Sequence, residues 1–443
     1  MTTIYSARWV IPATSRPIDN GAVAIEGDII AGVGTRKDLT LRFPTANVQD
    51  FGQSAIIPGL INAHTHLELT AMRGYLENEE SDFFAWLRKL TVARLERMTS
   101  DDIQVSATWG ACEAARAGIT SVGDASDSAG MSMRALKEVG LRGIVFQESF
   151  GPDPRLVDEN LLKLKTKVAE LRGIESVLVR VGVSPHAPYT VCGKQLELIA
   201  GFALTETLPL MMHAAESAAE ESFLVHGRGI FADGLAKRNI EWSTPGVSTI
   251  QYLKERGVLA TRPLLAHCIR VDEKDIETIA ETKSKVAHCP KSNAKLGHGR
   301  APFAAFLDRG IEVGLGSDSV ASNNTCDMLE EARFAALIAR SDRLVTAAEA
   351  LSVATLGGAG CLGMNESVGE LIEGAQADLV VLSLNEAHQL PTYDPVVSTI
   401  FSSSGRDVLL TVVAGKEIFR DGRVVNVDEE RLRARMREIS EKL

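Results

Sequence analysis

"AIIPGLINAHTHLELT", residues 55–70, sets two histidines, His64 and His66, one residue apart at the end of an apolar, β-rich run. In a strand, side chains at i and i+2 share a face, so the two imidazoles would stand side by side as the arms of a metal pincer. A lone His-x-His pair is more simply two satisfied polar residues, because zinc usually takes three or four protein ligands. The metal reading therefore depends on what the rest of the chain supplies.

From this stretch onward the pattern repeats: a short β-branched run ending in polar residues, then a longer stretch with helical spacing. The runs are "AIIPGLINAH", "ITSVGDA", "GLRGIVFQES", "VLVRVGVSPH", "LPLMMHAAE", "PLLAHCI", "KVAHCP" and "EVGLGSDS". Between them, segments such as "DDIQVSATWGACEAARAG" and "AGMSMRALKEVG" carry apolar residues every three or four positions and close on Gly. Eight such βα units predict an α/β fold, a distorted (β/α)8 TIM-type barrel, rather than an open doubly wound sheet. No G-x-G-x-x-G follows the first strand, and the "GVG" at Gly32–Gly34 reads as a hairpin turn.

The flanks differ. "GAVAIEGDIIAGVG" (21–34), "ADLVVLSL" (377–384) and "LLTVVAGKEIFRDGRVVNV" (409–427) are short apolar runs punctuated by Gly-Asp and Asp-Gly, which are hairpin signals. Neither flank is long enough for a core of its own, so residues 1–57 and 376–443 are expected to form one small composite β-sandwich, with 58–375 as the barrel. The tail "DEERLRARMREISEKL" reads as a charged amphipathic helix covering the surface.

Composition narrows the partners. The chain has 443 residues, is 45% hydrophobic and has a net charge of −11, which argues against a nucleic-acid polymer and favours a small neutral or cationic ligand. No apolar stretch suggests a membrane span and no secretory signal is visible, so a soluble, cytoplasmic protein is expected. Six scattered cysteines without C-x-x-C are expected to be reduced core residues.

In a βα barrel the carboxyl ends of the strands converge on one mouth. Here the strands end in His64 and His66, in His186, in His213 with Glu216, in His267, and in Asp318. Three imidazoles and a carboxylate, His64, His66, His213 and Asp318, make a shell suited to Zn or Fe with a position left for water. Such an ion lowers the pKa of bound water to about 7. Glu216, three residues after His213, is placed to carry a proton from that water to a substrate, while Glu220 and Glu221 read as helix-start acids. His267 is placed to orient the water or stabilise a developing oxyanion, and Asp318 to accept the water proton as well as bind metal.

The motifs "PGLINAHTHLE", "SPHAPY", "HAAE", "LLAHC", "HCPKSNAKLGHGRAPF" and "LGSDSVASNN" occur in the order found in the amidohydrolase superfamily, and the chain resembles its deaminase and chlorohydrolase branch over nearly its whole length. The resemblance implies the barrel with a composite β-sandwich and one divalent metal, Zn with Fe or Mn as options, on His64, His66, His213 and Asp318. It also implies catalysis by Glu216, His267 and Asp318, and it allows a homodimer. His186 stands where binuclear relatives carry a bridging Lys, which implies a mononuclear site. In the adenosine-type relatives the His of this pattern touches substrate.

The resemblance points to deaminases of methylthioadenosine, S-adenosylhomocysteine or aminofutalosine. A Glu that holds the ribose hydroxyls in the first two is replaced here by Leu95, whereas "HTHLEL" looks more like the aminofutalosine enzymes. Glu68 continues the His64, His66 alternation if the strand persists and would then reach the pocket; otherwise it would pair with Arg73 at the surface. Trp86, with Phe84, would stack on a substrate ring or fill a helix face. The alternatives are an s-triazine chlorohydrolase or aminohydrolase using the same hydroxide, and an inert barrel acting as a scaffold. The second should have lost ligands that this chain retains. The cytidine-deaminase zinc signature is absent.

Overall fold

The computed structural model describes residues 2–443. Eight parallel strands alternate with helices: β1 (Leu60–Thr65), β2 (Ile119–Ser126), β3 (Arg142–Ser149), β4 (Val179–Pro185), β5 (Met211–Ala214), β6 (Leu264–His267), β7 (Lys285–His288) and β8 (Val313–Leu315). They pair as two four-stranded sheets, β1 to β4 and β5 to β8. Single parallel bridges join the seams, Val183 to Leu210 and Thr65 to Asp318, so neighbour follows neighbour from β1 round to β8 and back. One face of the strands packs Ile61, Ala63, Ile144, Phe146, Met211 and Leu264 into a common cluster. With helices covering the other face, both faces are dry, which is why these strands read as apolar runs. The helices are bounded by ordinary local chemistry. Thr99 and Asp102 form a capping box at the start of Ser100–Arg116, and Gly140, at φ 94°, ends Ala129–Val139.

The terminal segments build one nine-stranded sheet. In it Ser54–Pro58, from the N-terminal flank, pairs antiparallel with Leu379–Ser383 from the C-terminal one. Side chains from both flanks, including Val10, Val23, Ile56, Leu379 and Val412, share one buried cluster. The buried pair Arg142–Asp378 ties the start of β3 to this sheet: Nε and Nη2 each donate to a carboxylate oxygen at 3.0 Å.

Two expectations need correction. The run 55–64 is two strands: Ser54–Pro58 belongs to the terminal sheet and β1 begins at Leu60. At Gly59 the backbone crosses so close to Thr120 that a Cβ would lie 2.0 Å from its hydroxyl oxygen. The "GVG" at 32–34 is not a turn but lies within the strand Ile29–Thr35. The turn falls at Gly27, φ 63°, and Gly32 makes room for Leu39. The C-terminal helix Glu429–Lys442 lies against Ser100–Arg116, with Lys442 donating to both oxygens of Asp102. All six cysteines are free and five are buried. Among the described residues no helix is long and apolar enough to cross a membrane.

Candidate active site and metal centre

Different local devices deliver the site residues. In β5 simple alternation places His213 two residues beyond the interior Met211. In β1 the register slips between Asn62 and Thr65, and irregularities of this kind re-aim side chains. His267 and Asp318 have φ of 75° and 54°, a left-handed conformation that costs non-glycine residues energy and that collects at functional sites. The ring centroids of His64 lie 4.9 Å from those of both His66 and His213.

The geometry suits a cation. His66 Nε2 lies 3.2 Å from His213 Nε2, and Asp318 Oδ1 lies 3.5 Å from His66 Nε2 and 3.6 Å from His64 Nε2. Metal-ligating atoms of His64, His213, His267 and Asp318 are all within 4.8 Å of one another. The outward atoms are spoken for. His213 Nδ1 donates to the His186 carbonyl at 2.9 Å, which fixes the tautomer with its Nε2 lone pair inward. Asp318 Oδ2 accepts from Ser292 at 2.6 Å and Ser322 at 2.8 Å, leaving Oδ1 toward the imidazoles. His64 Nε2 is buried with no hydrogen-bond partner, an orphan that a metal bond would satisfy. Burial lowers the pKa of His64 to about 4 and that of His213 well below the usual value, so both offer neutral nitrogens. Burial opposes ionisation of Asp318, but the surrounding imidazoles of His64, His267 and His66 outweigh it and hold its pKa well below the carboxylate range.

Glu216 faces this cluster. Its Oε1 lies 3.8 Å from His267 Nε2 and 3.7 Å from His298 Nε2, and Oε2 accepts from the Tyr189 hydroxyl at 3.3 Å. Burial raises its pKa, with the Asp318 charge adding and His267 opposing. Glu220 is more than a helix-start acid: fully buried, it accepts from the amides of Ala215 and Glu216 at 2.9 and 2.8 Å and holds the turn that carries Glu216. His267 is oriented by Asn293, its Nδ1 donating to Oδ1 at 2.9 Å.

A cavity of about 1080 Å³ opens above, with His66, His213, Glu216 and Asp318 among its walls. His186 lines it, as do Trp86 and Phe84, on the helix Phe83–Val92, and Leu95. Glu68 also borders it but is committed to the chain, because β1 gives way to a 3-10 helix over Leu67–Met72 and the alternation stops. Its carboxylate accepts from Ser126 Oγ at 2.9 Å and the Ser128 amide at 3.0 Å, and pairs with Arg94 at 3.2 Å. The surface pair with Arg73 does not form; Arg73 pairs with Glu113. Two residues near the site escaped the sequence reading. His298, in "KLGHG", lies beside Glu216, and Glu148, on the cavity wall, was signalled by the alternation Ile144, Phe146, Glu148 in "GIVFQES".

The pattern of the amidohydrolase family matches residues 55–418. A 5-methylthioadenosine/S-adenosylhomocysteine deaminase of Syntrophus aciditrophicus is 32% identical over 97% of this chain and 94% of its own length. Among solved structures, an adenosine deaminase from Xanthomonas campestris with bound zinc superposes with a TM-score of 0.89 at 27% identity, over 99% of this chain and 98% of that one. Aminofutalosine deaminase from Helicobacter pylori, in complex with methylthio-coformycin, shares the fold: TM-score 0.80 and 24% identity over 94% of this chain and all of that one.

Proposed function

The chain belongs to the amidohydrolase family, and from that premise we propose that it is a metal-dependent deaminase releasing ammonia from an aminated purine nucleoside with a 5′ extension. One observation carries the reading: Glu216, His267 and Asp318 meet beside a buried, orphaned imidazole set at the base of a cavity large enough for a nucleoside and its extension. We assign the cation, zinc by the chemistry of the donors, to His64, His66, His213 and Asp318. Bound there, it supplies acidified water at neutral pH.

The remaining steps belong to side chains. His267 and Asp318 hold the attacking water at the amino-bearing ring carbon, and Asp318 takes one of its protons. Glu216, kept protonatable by burial, gives a proton to the neighbouring ring nitrogen; the proton on Asp318 then leaves with the amino group as ammonia, and the proton of the newly formed hydroxyl returns to Glu216 as the carbonyl forms, so both carboxyls end as they began. His186 and Trp86 contact the base, and Glu68 braces the wall beside them. Leu95 offers no carboxylate to the sugar, so ribose must be held elsewhere.

We read the ring of eight βα units, 58–375, as a distorted (β/α)8 barrel, and 1–57 with 376–443 as a composite β-sandwich. Support comes from the bridged seams and the cluster shared by both flanks. A cytoplasmic homodimer belongs to the same proposal; the free cysteines fit a reducing compartment, and light scattering checks the dimer.

The test is ammonia release by zinc-loaded protein from adenosine, methylthioadenosine, S-adenosylhomocysteine, aminofutalosine, guanine, cytosine and aminated s-triazines. Ammonia from a 5′-extended adenosine is expected. Silence on every nucleoside, with chloride released from a chlorinated s-triazine, would replace this reading with the hydrolase one.

A further inference from the structure

Glu148 is a buried carboxyl for which the fold provides no partner. It follows Ile144 and Phe146 on the inward face of β3, which places it in the same layer as His213, two residues beyond Met211 on β5. Only 7% of the residue is exposed, it lines the cavity, and its Oε1 has no hydrogen-bond partner. Nearby cations are committed: Arg94 pairs with Glu68 and with Asp127 at 2.9 Å, and Lys167 with Asp127 at 3.1 Å. Burial, with the charges of Glu68 and Asp127 alongside, holds the Glu148 pKa well above the carboxylate range.

A buried polar atom without a partner costs stability, so its retention calls for a ligand. Glu148, His186 and His213 have ligating atoms within 4.8 Å of one another, but a second metal ion is a poor occupant. The Nδ1 of His213 is bonded to the His186 carbonyl and its Nε2 faces His66 and Asp318, which leaves two donors where a protein site needs three or more. The substrate is the better occupant. Round the strand ends Glu148 precedes His186, which precedes Glu216, so it meets the heterocycle on the side away from the proton-moving carboxyl. Its depth, level with His213, points to the ring and not to the sugar or its extension.

We propose that Glu148 is a specificity residue whose carboxyl donates a hydrogen bond to a ring nitrogen of the bound base, on the β3 side of the cavity; this rests on the nucleoside reading above. The amide of a Glu148→Gln variant keeps both a donor and an acceptor and should serve nearly as well.

The experiment pairs chain and ligand changes. Binding to the zinc-loaded enzyme by calorimetry, and kcat and KM by ammonia release, are measured for adenosine, 3-deazaadenosine, 7-deazaadenosine and 2′,3′-dideoxyadenosine. The parent should lose about tenfold in affinity with one of the two deaza compounds, the worth of one hydrogen bond. Glu148→Ala should bind adenosine as weakly as the parent binds that compound and should no longer distinguish the two, while Glu148→Gln restores the difference. Glu148→Leu, without ligand, should melt at or above the parent temperature, since the carboxyl serves no contact in the fold. The proposal falls if Glu148→Ala keeps the parent's discrimination, if it loses discrimination only against the dideoxy sugar, or if Glu148→Leu melts several degrees lower. A parent that neither binds nor deaminates any of these four compounds, nor methylthioadenosine, S-adenosylhomocysteine or aminofutalosine, would remove the nucleoside reading, and this inference with it.

Discussion

Glu216 is nearly the same shape as glutamine but differs in the one property the proposed mechanism uses. Glu216→Gln can keep the contact with Tyr189 and leaves the metal set untouched, so bound zinc, counted by elemental analysis, should be unchanged while kcat falls by about 10²- to 10⁴-fold. An unchanged rate would take Glu216 out of the chemistry. A second carboxyl sets a pH dependence of stability. Burial, with the Glu68 charge adding, raises the pKa of Asp124 to about 8, against an unfolded value of about 3.9. The folded state then holds a proton that the unfolded state has lost, so this residue's contribution is full below about pH 4 and is lost as pH rises to about 8. Asp124→Asn keeps an acceptor for the Leu67 amide, and its melting temperature should fall less between pH 6 and pH 9 than the parent's. At this scale the sequence was a partial guide. His64, His66, His213, His267 and Asp318 were legible because a strand followed by a polar residue is a local pattern. Glu148 lay on an equally regular alternation but ended in an ordinary residue type, and His298 gains its meaning only from Glu216, which is distant in sequence. The partners of Glu68 were beyond reach because the strand stops at Thr65.

Strands and helices show the same division. The alternation of βα units was readable because apolar spacing and closing glycines are set by each segment alone. The end of Ser54–Pro58 was not, because what breaks the run at Gly59 is Thr120 on a neighbouring strand. The strand ends are equally tight elsewhere. At Gly316, just past β8, a Cβ would lie 2.8 Å from both Cys289 Sγ and His64 Cβ. Gly316→Ala should therefore push β1 and β8 apart, lowering stability by about 1–3 kcal/mol and the zinc bound per chain. Gly201, in the helix Gly193–Thr205 with nothing within 4 Å of an added Cβ, is the control. Gly201→Ala should leave metal content alone and raise stability by up to about 1 kcal/mol through helix propensity. Loss of zinc from both variants, or from neither, would refute the steric account.

For the whole molecule, the decisive contacts run between segments remote in sequence. Arg142 and Asp378 are 236 positions apart, and their two-pronged bond joins the body carrying the site to the sheet built from the termini. Arg142→Ala would leave Asp378 buried with only the Ala414 amide for company, at a cost of about 3–5 kcal/mol in urea unfolding. A change below about 1 kcal/mol would mean that the apolar cluster alone holds the two parts together. The seam between β1 and β8 has a wider consequence. Thr65 Oγ1 donates to the Asp318 carbonyl and the Asp318 amide donates to the His64 carbonyl, so this seam and the proposed ligand set share His64 and Asp318, 254 positions apart. An ion held by His64, His66 and Asp318 is thus also a cross-link that shuts a very long loop, and chelation should lower the melting temperature by mass action. Protease sensitivity near this junction should then report zinc occupancy in the absence of any substrate, making the integrity of the scaffold an indicator of whether the enzyme is charged for work.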